Sequence, residues 1–563
     1  MSSLRSARPK GRTARGVASD KGERIGIFIC RCGEAISRTV DVDSVAAHVT
    51  SLDSVALVEV MDFPCSTRGQ TEIRDCIKEK SLGRFVVAGC SPKTHERTFM
   101  RVAASAGLNR FMFEIANIRE QCAFVHARSE ATEKAKVLVE AATSKCRLLS
   151  PAPYEQVPVS SKKALVVGGG LSAMVAASCV SNQGFGVILV DQQKTLDENA
   201  VMTRRLGVPA EYFPETLRGL KSNSLVRKLS GSEVIDFQGH PGDFRALIRT
   251  PDGEEDIRCG AAILALDATP IPSEGKDNGL RVITQTEFSG LLSSRTDYPE
   301  RVVMIVPKDS SGETFGRSGH LDAITNAMRL KVLLPSAEVT IIGSDVRAYG
   351  MCELDYRKAQ ERGIRFVRCK GEVDIQHEGG PRVLVTDAFS DTPLSLPADL
   401  IVLADVLKLQ DTKQLAKIFK IPVDASGFLT RSQTRLEPES TLREGVFLCG
   451  GAAGPRLVSE ELLEASTAAS QAVSLLSSPF MEVGGTVAEV DPEKCSVCLC
   501  CIRVCPYTAP FINEDGKAEI DIQTCQGCGI CVGVCPSKAI QMYGCTDAQL
   551  DAQSSASIRG GGR

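Results

Sequence analysis

Residues 495–536 constrain this chain more than any other stretch. Cys495, Cys498, Cys501 and Cys505 are spaced C-x2-C-x2-C-x3-C, with Pro506 following. Cys525, Cys528, Cys531 and Cys535 repeat the pattern and are followed by Pro536. A short loop of this kind wraps three thiolates around three corners of an iron–sulfur cube, and the fourth cysteine of each run reaches the other cube. The spacing predicts one [4Fe–4S] cluster on Cys495, Cys498, Cys501 and Cys535 and a second on Cys525, Cys528, Cys531 and Cys505. Paired CxxC units also suit zinc, but two complete runs ending in Cys-Pro favour cubes. Cubes carry single electrons and make no bonds themselves, so a donor and an acceptor are needed elsewhere. Cys500 and Cys545 fall outside the pattern and read as bystanders.

The remaining residues frame that module. A chain of 563 residues with 43% hydrophobic content can bury several cores, and its length suggests about three or four domains. Basic and acidic residues balance at 66 against 69, which offers no field for nucleic acid or an anionic membrane. No apolar run is long enough to span a bilayer. Residues 1–24 are basic and polar, without the apolar stretch of a secretory signal, and read as a disordered tail. Many cysteines without secretion point to metal or redox use in a reducing compartment, so the chain reads as cytoplasmic. Strand and helix patterns suggest α/β folding throughout: a small α/β domain over 25–150, a Pro- and Ser-rich linker over 151–163 and a larger dinucleotide-type domain over 164–483. The two-cluster ferredoxin module follows over 484–545, and 546–563 reads as a flexible tail.

Ala164–Val167 leads into Gly168-Gly169-Gly170-Leu171-Ser172-Ala173, a strand, a G-x-G-x-x-A turn and a helix start. Gly168 permits the tight turn, Gly170 lets a pyrophosphate approach the backbone, and Ala173 allows close packing of helix on strand. The next strand, Gly186–Val190, ends in Asp191, the expected carboxylate for ribose hydroxyls. Near the end of the domain a strand runs into Gly450, Gly451 and Ala452, which are placed to close over a flavin. No second glycine fingerprint for a nicotinamide follows Arg301–Val306 or Val339–Ile342. Cys30, Cys32, Cys65, Cys90 and Cys122 sit at strand ends or turns and are candidate ligands of a third cluster, or else ordinary thiols.

Taken in order, CRCG, CSPKTHERTF, NIREQC, the glycine fingerprint, Arg347-Ala348-Tyr349-Gly350, GVFLCGGAAGP and the closing ferredoxin resemble HdrA, the flavin-bearing component of heterodisulfide reductase. The resemblance runs from Ile25 to about Leu550. It implies a thioredoxin-reductase-like, two-dinucleotide FAD domain, FAD as the flavin, and a place as an electron-transfer component of a soluble complex. Implied partners are the B- and C-type components of that reductase, or other catalytic subunits, and an electron-input module linked to hydrogenase, formate dehydrogenase or NADH. It also implies a dimer within the larger complex and, in some members, flavin-based electron bifurcation.

Three departures accompany the resemblance. The inserted ferredoxin of the family is missing after Asp191, as is a Gly-Gly doublet expected there. A cysteine motif expected at Phe315–His320 reads FGRSGH. The chain therefore resembles a reduced family member with fewer electron exits. Two other readings stay open: a free-standing NAD(P)H-dependent reductase, and a scaffold in which only the ferredoxin clusters work. No nucleophile–His–acid or paired-carboxylate constellation suggests catalytic residues of its own.

Overall fold

The computed structural model describes residues 24–193, 212–271, 282–294, 297–306, 316–376, 381–409, 412–432 and 438–561. The basic tail expected over 1–24, and the segments after Asp191 and at Phe315 on which the departures turn, lie largely outside the described residues. The chain divides into two compact units, one built from Met1–Glu155 with Val483–Arg563 and the other from Gln156–Glu482.

The first unit opens with β1 (Ile25–Cys30), α1 (Val42–Thr50), β2 (Val55–Met61), α2 (Thr67–Glu79), β3 (Arg84–Gly89), α3 (Pro92–Ala106), β4 (Phe113–Asn117) and α4 (Arg128–Cys146). The strands form a parallel sheet in the order β2-β1-β3-β4. β1 is apolar along its whole length and buried on both faces, as strands covered by helices on both sides must be. The order reverses direction at β1, which opens a crevice at the carboxyl ends of β1, β2 and β3.

The cysteine-rich segment belongs to this same unit, although its sequence suggests separate domains over 25–150 and 484–545. Gly485 donates to the Pro153 carbonyl at 2.8 Å, and Gln523 donates to Glu155 at 3.2 Å. The expected flexible tail is instead a helix, Asp547–Gly561, packed on α4. Its start is a reciprocal cap: Thr546 N–H donates to the Gln549 side chain at 2.9 Å, and Gln549 N–H donates to the Thr546 hydroxyl at 3.3 Å. The Gln549 amide also donates to the Leu148 carbonyl at 2.8 Å. Two orphan N–H groups are thereby satisfied, and small residues such as the buried Ala556 let the helix lie close to α4.

The second unit contains β5 (Lys163–Val167), α5 (Leu171–Asn182), β6 (Gly186–Asp191), β7 (Val226–Ser230), β8 (Ala261–Leu266), β9 (Val282–Thr284), β10 (Arg301–Val306), α6 (Gly316–Leu333), β11 (Glu338–Gly343), β12 (Arg365–Gln376), β13 (Arg382–Asp387), β14 (Pro393–Pro397), β15 (Leu400–Leu403), β16 (Val446–Gly450) and α7 (Val458–Ser477). One parallel sheet runs β16-β8-β5-β6-β7, and a second sheet runs β9-β15-β10-β11-β12-β13-β14. In the second, the pairings from β9 to β12 are parallel and the last two antiparallel. The α/β, two-dinucleotide expectation holds. In the first sheet the chain moves outward from β5 to β6 and β7, then returns on the other side as β8 and β16. That reversal places a crevice at the ends of β5 and β8.

Arg443 braces the layer beneath. It is buried, and both terminal nitrogens donate to the Phe237 carbonyl at 3.3 Å. Its guanidinium lies over the Phe237 and Phe244 rings, 4.7 and 5.4 Å from their centroids. Arg443→Met should therefore lower the unfolding free energy of this unit by about 2–3 kcal/mol, because buried carbonyls lose their donors and the rings lose their cation. Urea unfolding followed by circular dichroism measures this, and an unchanged midpoint would refute it.

Candidate functional site

The cysteine octet surrounds two separate hollows. The first is lined by Cys495, Cys498, Cys501 and Cys535, with Cys500 also on its wall. The second is lined by Cys525, Cys528, Cys531 and Cys505. Each thus takes three thiols from one run and the last thiol of the other. Burial pushes the Cys531 thiol up to about 11, with Cys525, Cys505 and Cys528 adding to the shift. Among the described residues no three His, Cys, Asp or Glu side chains converge tightly enough for a single metal ion.

The loops around both hollows share one backbone conformation. Val497 and Leu499 flank Cys498 with φ of 56° and 63°, while Gly527 and Gly529 flank Cys528 with φ of 63° and 75°. Alternating left-handed residues turn successive N–H groups toward a concave side, where they favour an anion such as a thiolate-bound cluster. The second run uses glycine for this, whereas the first holds a β-branched valine in the same strained region.

At the end of β5, Gly168 has φ +132°, and a β-carbon there would collide with the Ala265 carbonyl. Gly170 caps α5, and Ala173 is fully buried against the strand. Gly450 has φ +67°, and a β-carbon on Gly451 would sit 2.5 Å from the Ala268 nitrogen. Ala452 is buried and its carbonyl accepts from Leu429 N–H at 3.0 Å. Asp191 is buried at the end of β6, accepts from Gln193 N–H at 3.1 Å, and covers Gly169.

The structure adds Ser172, which the fingerprint pattern leaves unassigned. Its hydroxyl is buried at the first turn of α5 without a hydrogen-bond partner among the described residues, and a β-carbon on Gly450 would lie 2.9 Å from it. A hydroxyl inside the fingerprint was the available clue. A helix N-terminus, a glycine cradle and an unsatisfied hydroxyl are what a dinucleotide diphosphate requires, so these residues fit FAD.

The N-terminal cysteines divide. Cys30 ends β1, Cys32 follows it, Cys65 follows β2 and Cys90 follows β3, so all four meet at the crevice. Cys32 N–H donates to the Cys30 sulfur at 3.2 Å, and an Arg119 terminal nitrogen donates to the Cys32 sulfur at 3.2 Å. Burial pushes the Cys30 thiol up to about 12, with Cys32, Cys65 and Cys90 contributing. Cys122 does not join them. It is buried in the core, where its thiol donates to the Ala131 carbonyl of α4 at 3.0 Å.

An HdrA-like heterodisulfide reductase protein of Archaeoglobus profundus is 30% identical to this chain over 691 aligned positions, covering 95% of this chain and 98% of the relative. The chain belongs to the HdrA family of heterodisulfide reductases. The alignment is longer than the chain, so this relative carries segments that the chain lacks, in line with the reduced form expected. An iron–sulfur HdrA component of the CoB–CoM heterodisulfide reductase of Methanopyrus kandleri is 29% identical over 611 positions, covering 88% of this chain and 91% of the relative. Residues 488–536 match the 4Fe–4S dicluster domain family. Among solved structures, thioredoxin reductase of T. acidophilum aligns with 56% of this chain and all of its own at 17% identity, with a TM-score of 0.39. As a member of the HdrA family the chain is an oxidoreductase. No helix among the described residues is long and apolar enough to cross a membrane.

Proposed function

We propose that this protein is the electron-transfer component of a heterodisulfide reductase-like complex, passing electrons between FAD and [4Fe–4S] clusters to and from partner subunits. The observation that carries this reading is the crosswise lining of two hollows by the cysteine octet. Cys495, Cys498, Cys501 and Cys535 hold one cluster, and Cys525, Cys528, Cys531 and Cys505 the other. When bound, FAD supplies the interchange between paired and single electrons. Gly168, Gly170 and Ala173 would seat its diphosphate on α5, Asp191 would take the ribose hydroxyls, and Gly450, Gly451 and Ala452 would lie against the flavin. Cys30, Cys32, Cys65 and Cys90 are the ligands of a third cluster, and Cys122 is not.

Partners resembling the B- and C-type components would handle the terminal acceptor, and an input module would supply electrons. Iron and flavin counts on the complex isolated from its native host test this. We expect one FAD and about twelve irons per chain, whereas about eight would remove the N-terminal cluster and fewer than about eight the octet assignment. Absence of flavin from acid extracts would sink the FAD reading.

A further inference from the structure

The seat at the N-terminus of α5 holds a side chain that lies outside the glycine fingerprint. Asp267 is the first residue after β8. The space that a β-carbon on Gly170 would occupy is filled by the Asp267 carboxylate, with both oxygens inside van der Waals reach. The backbone on either side of Asp267 is fixed. Leu266 O lies 3.1 and 3.2 Å from the β-carbon positions of Gly450 and Gly451, and Ala268 N lies 2.5 Å from the latter. Clamped against that turn, residue 267 projects its side chain over the glycine to which a diphosphate must come closest. In the first turn of α5, Ser172 offers a buried hydroxyl with no hydrogen-bond partner among the described residues, so the place offers an anion more than the helix terminus alone. Asp191 already brings a second carboxylate to the adjoining Gly169.

We infer that Asp267 sets the dinucleotide affinity of this site, because its carboxylate and a diphosphate compete for one seat on α5. The inference rests on the FAD reading above. Binding then requires the Asp267 side chain to turn away from Gly170, and removal of its charge strengthens binding. Asp267→Asn keeps the volume and removes the charge, while Asp267→Ala removes both.

The test is titration of the full-length chain, freed of flavin, with FAD, following flavin fluorescence. Circular dichroism and iron content would confirm that each variant keeps its fold. Both variants should bind FAD about tenfold more tightly or better, since like charges within a few ångströms in a partly buried site oppose each other by at least that factor. Equal or weaker binding by both variants, with the wild type binding, would overturn the role of Asp267 and leave the FAD reading standing. No FAD binding by any of the three would overturn both.

Discussion

Cys505→Ser should empty the hollow formed by Cys525, Cys528 and Cys531, although Cys505 belongs to the other cysteine run. Cys535→Ser should likewise empty the hollow of Cys495, Cys498 and Cys501. Each single variant is expected to lose about four of the eight irons that the octet holds. The crosswise lining also fixes the double variants. Cys505→Ser with Cys528→Ser removes two ligands of the same cluster and should cost no more iron than either alone. Cys505→Ser with Cys498→Ser strikes both clusters and should leave the octet nearly bare. Residues that act as a unit are non-additive and independent ones add, so iron counts and electron paramagnetic resonance of the reduced chain separate the two pairs. If Cys505→Ser instead spared the Cys525 set and emptied the Cys495 set, the crosswise assignment would fail.

The second large effect is expected at the start of the dinucleotide cradle. Gly168→Ala places a β-carbon where φ is +132° and where the Ala265 carbonyl already stands. An L-residue resists that conformation, and the obstructing atom is main chain of the neighbouring strand β8, which cannot rotate aside. The cost combines backbone strain with displacement of two adjacent strands, about 3–4 kcal/mol. Thermal unfolding should show a lower midpoint for the second unit, and FAD should no longer be retained. Because the octet lies in the other unit, its iron should be unaffected, which distinguishes a local defect from general misfolding. Normal flavin retention by Gly168→Ala would refute the role given to this turn.

What was legible in the sequence was what short spacing encodes. The cysteine octet can be read from intervals of two and three residues. The cradle can be read because an apolar strand, three glycines and a small-residue helix follow one another directly, and the acid at the end of β6 is set by the length of one strand–helix–strand unit.

Other features lacked such a code. Cys30, Cys65 and Cys90 come together because the order β2-β1-β3 brings three strand ends side by side, which no local pattern states. Cys122 resembled them at a turn, yet the chain there faces α4, and that orientation depends on packing alone. The C-terminal helix is rich in Ser, Ala and Gln and has no apolar stripe, so only the pairing of Thr546 with Gln549 announced it. Asp267 follows an ordinary buried strand, and its meeting with Gly170 is a contact between residues far apart in the chain.

The make-up of the first unit has a consequence for how the protein is born. Its sheet is finished by Asn117, but the helix that packs on α4 and the cysteine octet are made only after residues 156–482. Residues Gln156–Glu482 come between and form a complete unit of their own. At ordinary synthesis rates the early half waits roughly 15–65 s for its other half. All residues of the middle unit are therefore made before those of the first unit are complete. During that wait α4 lacks the helix that packs on it, and the thiols at the ends of β1, β2 and β3 belong to an unfinished unit.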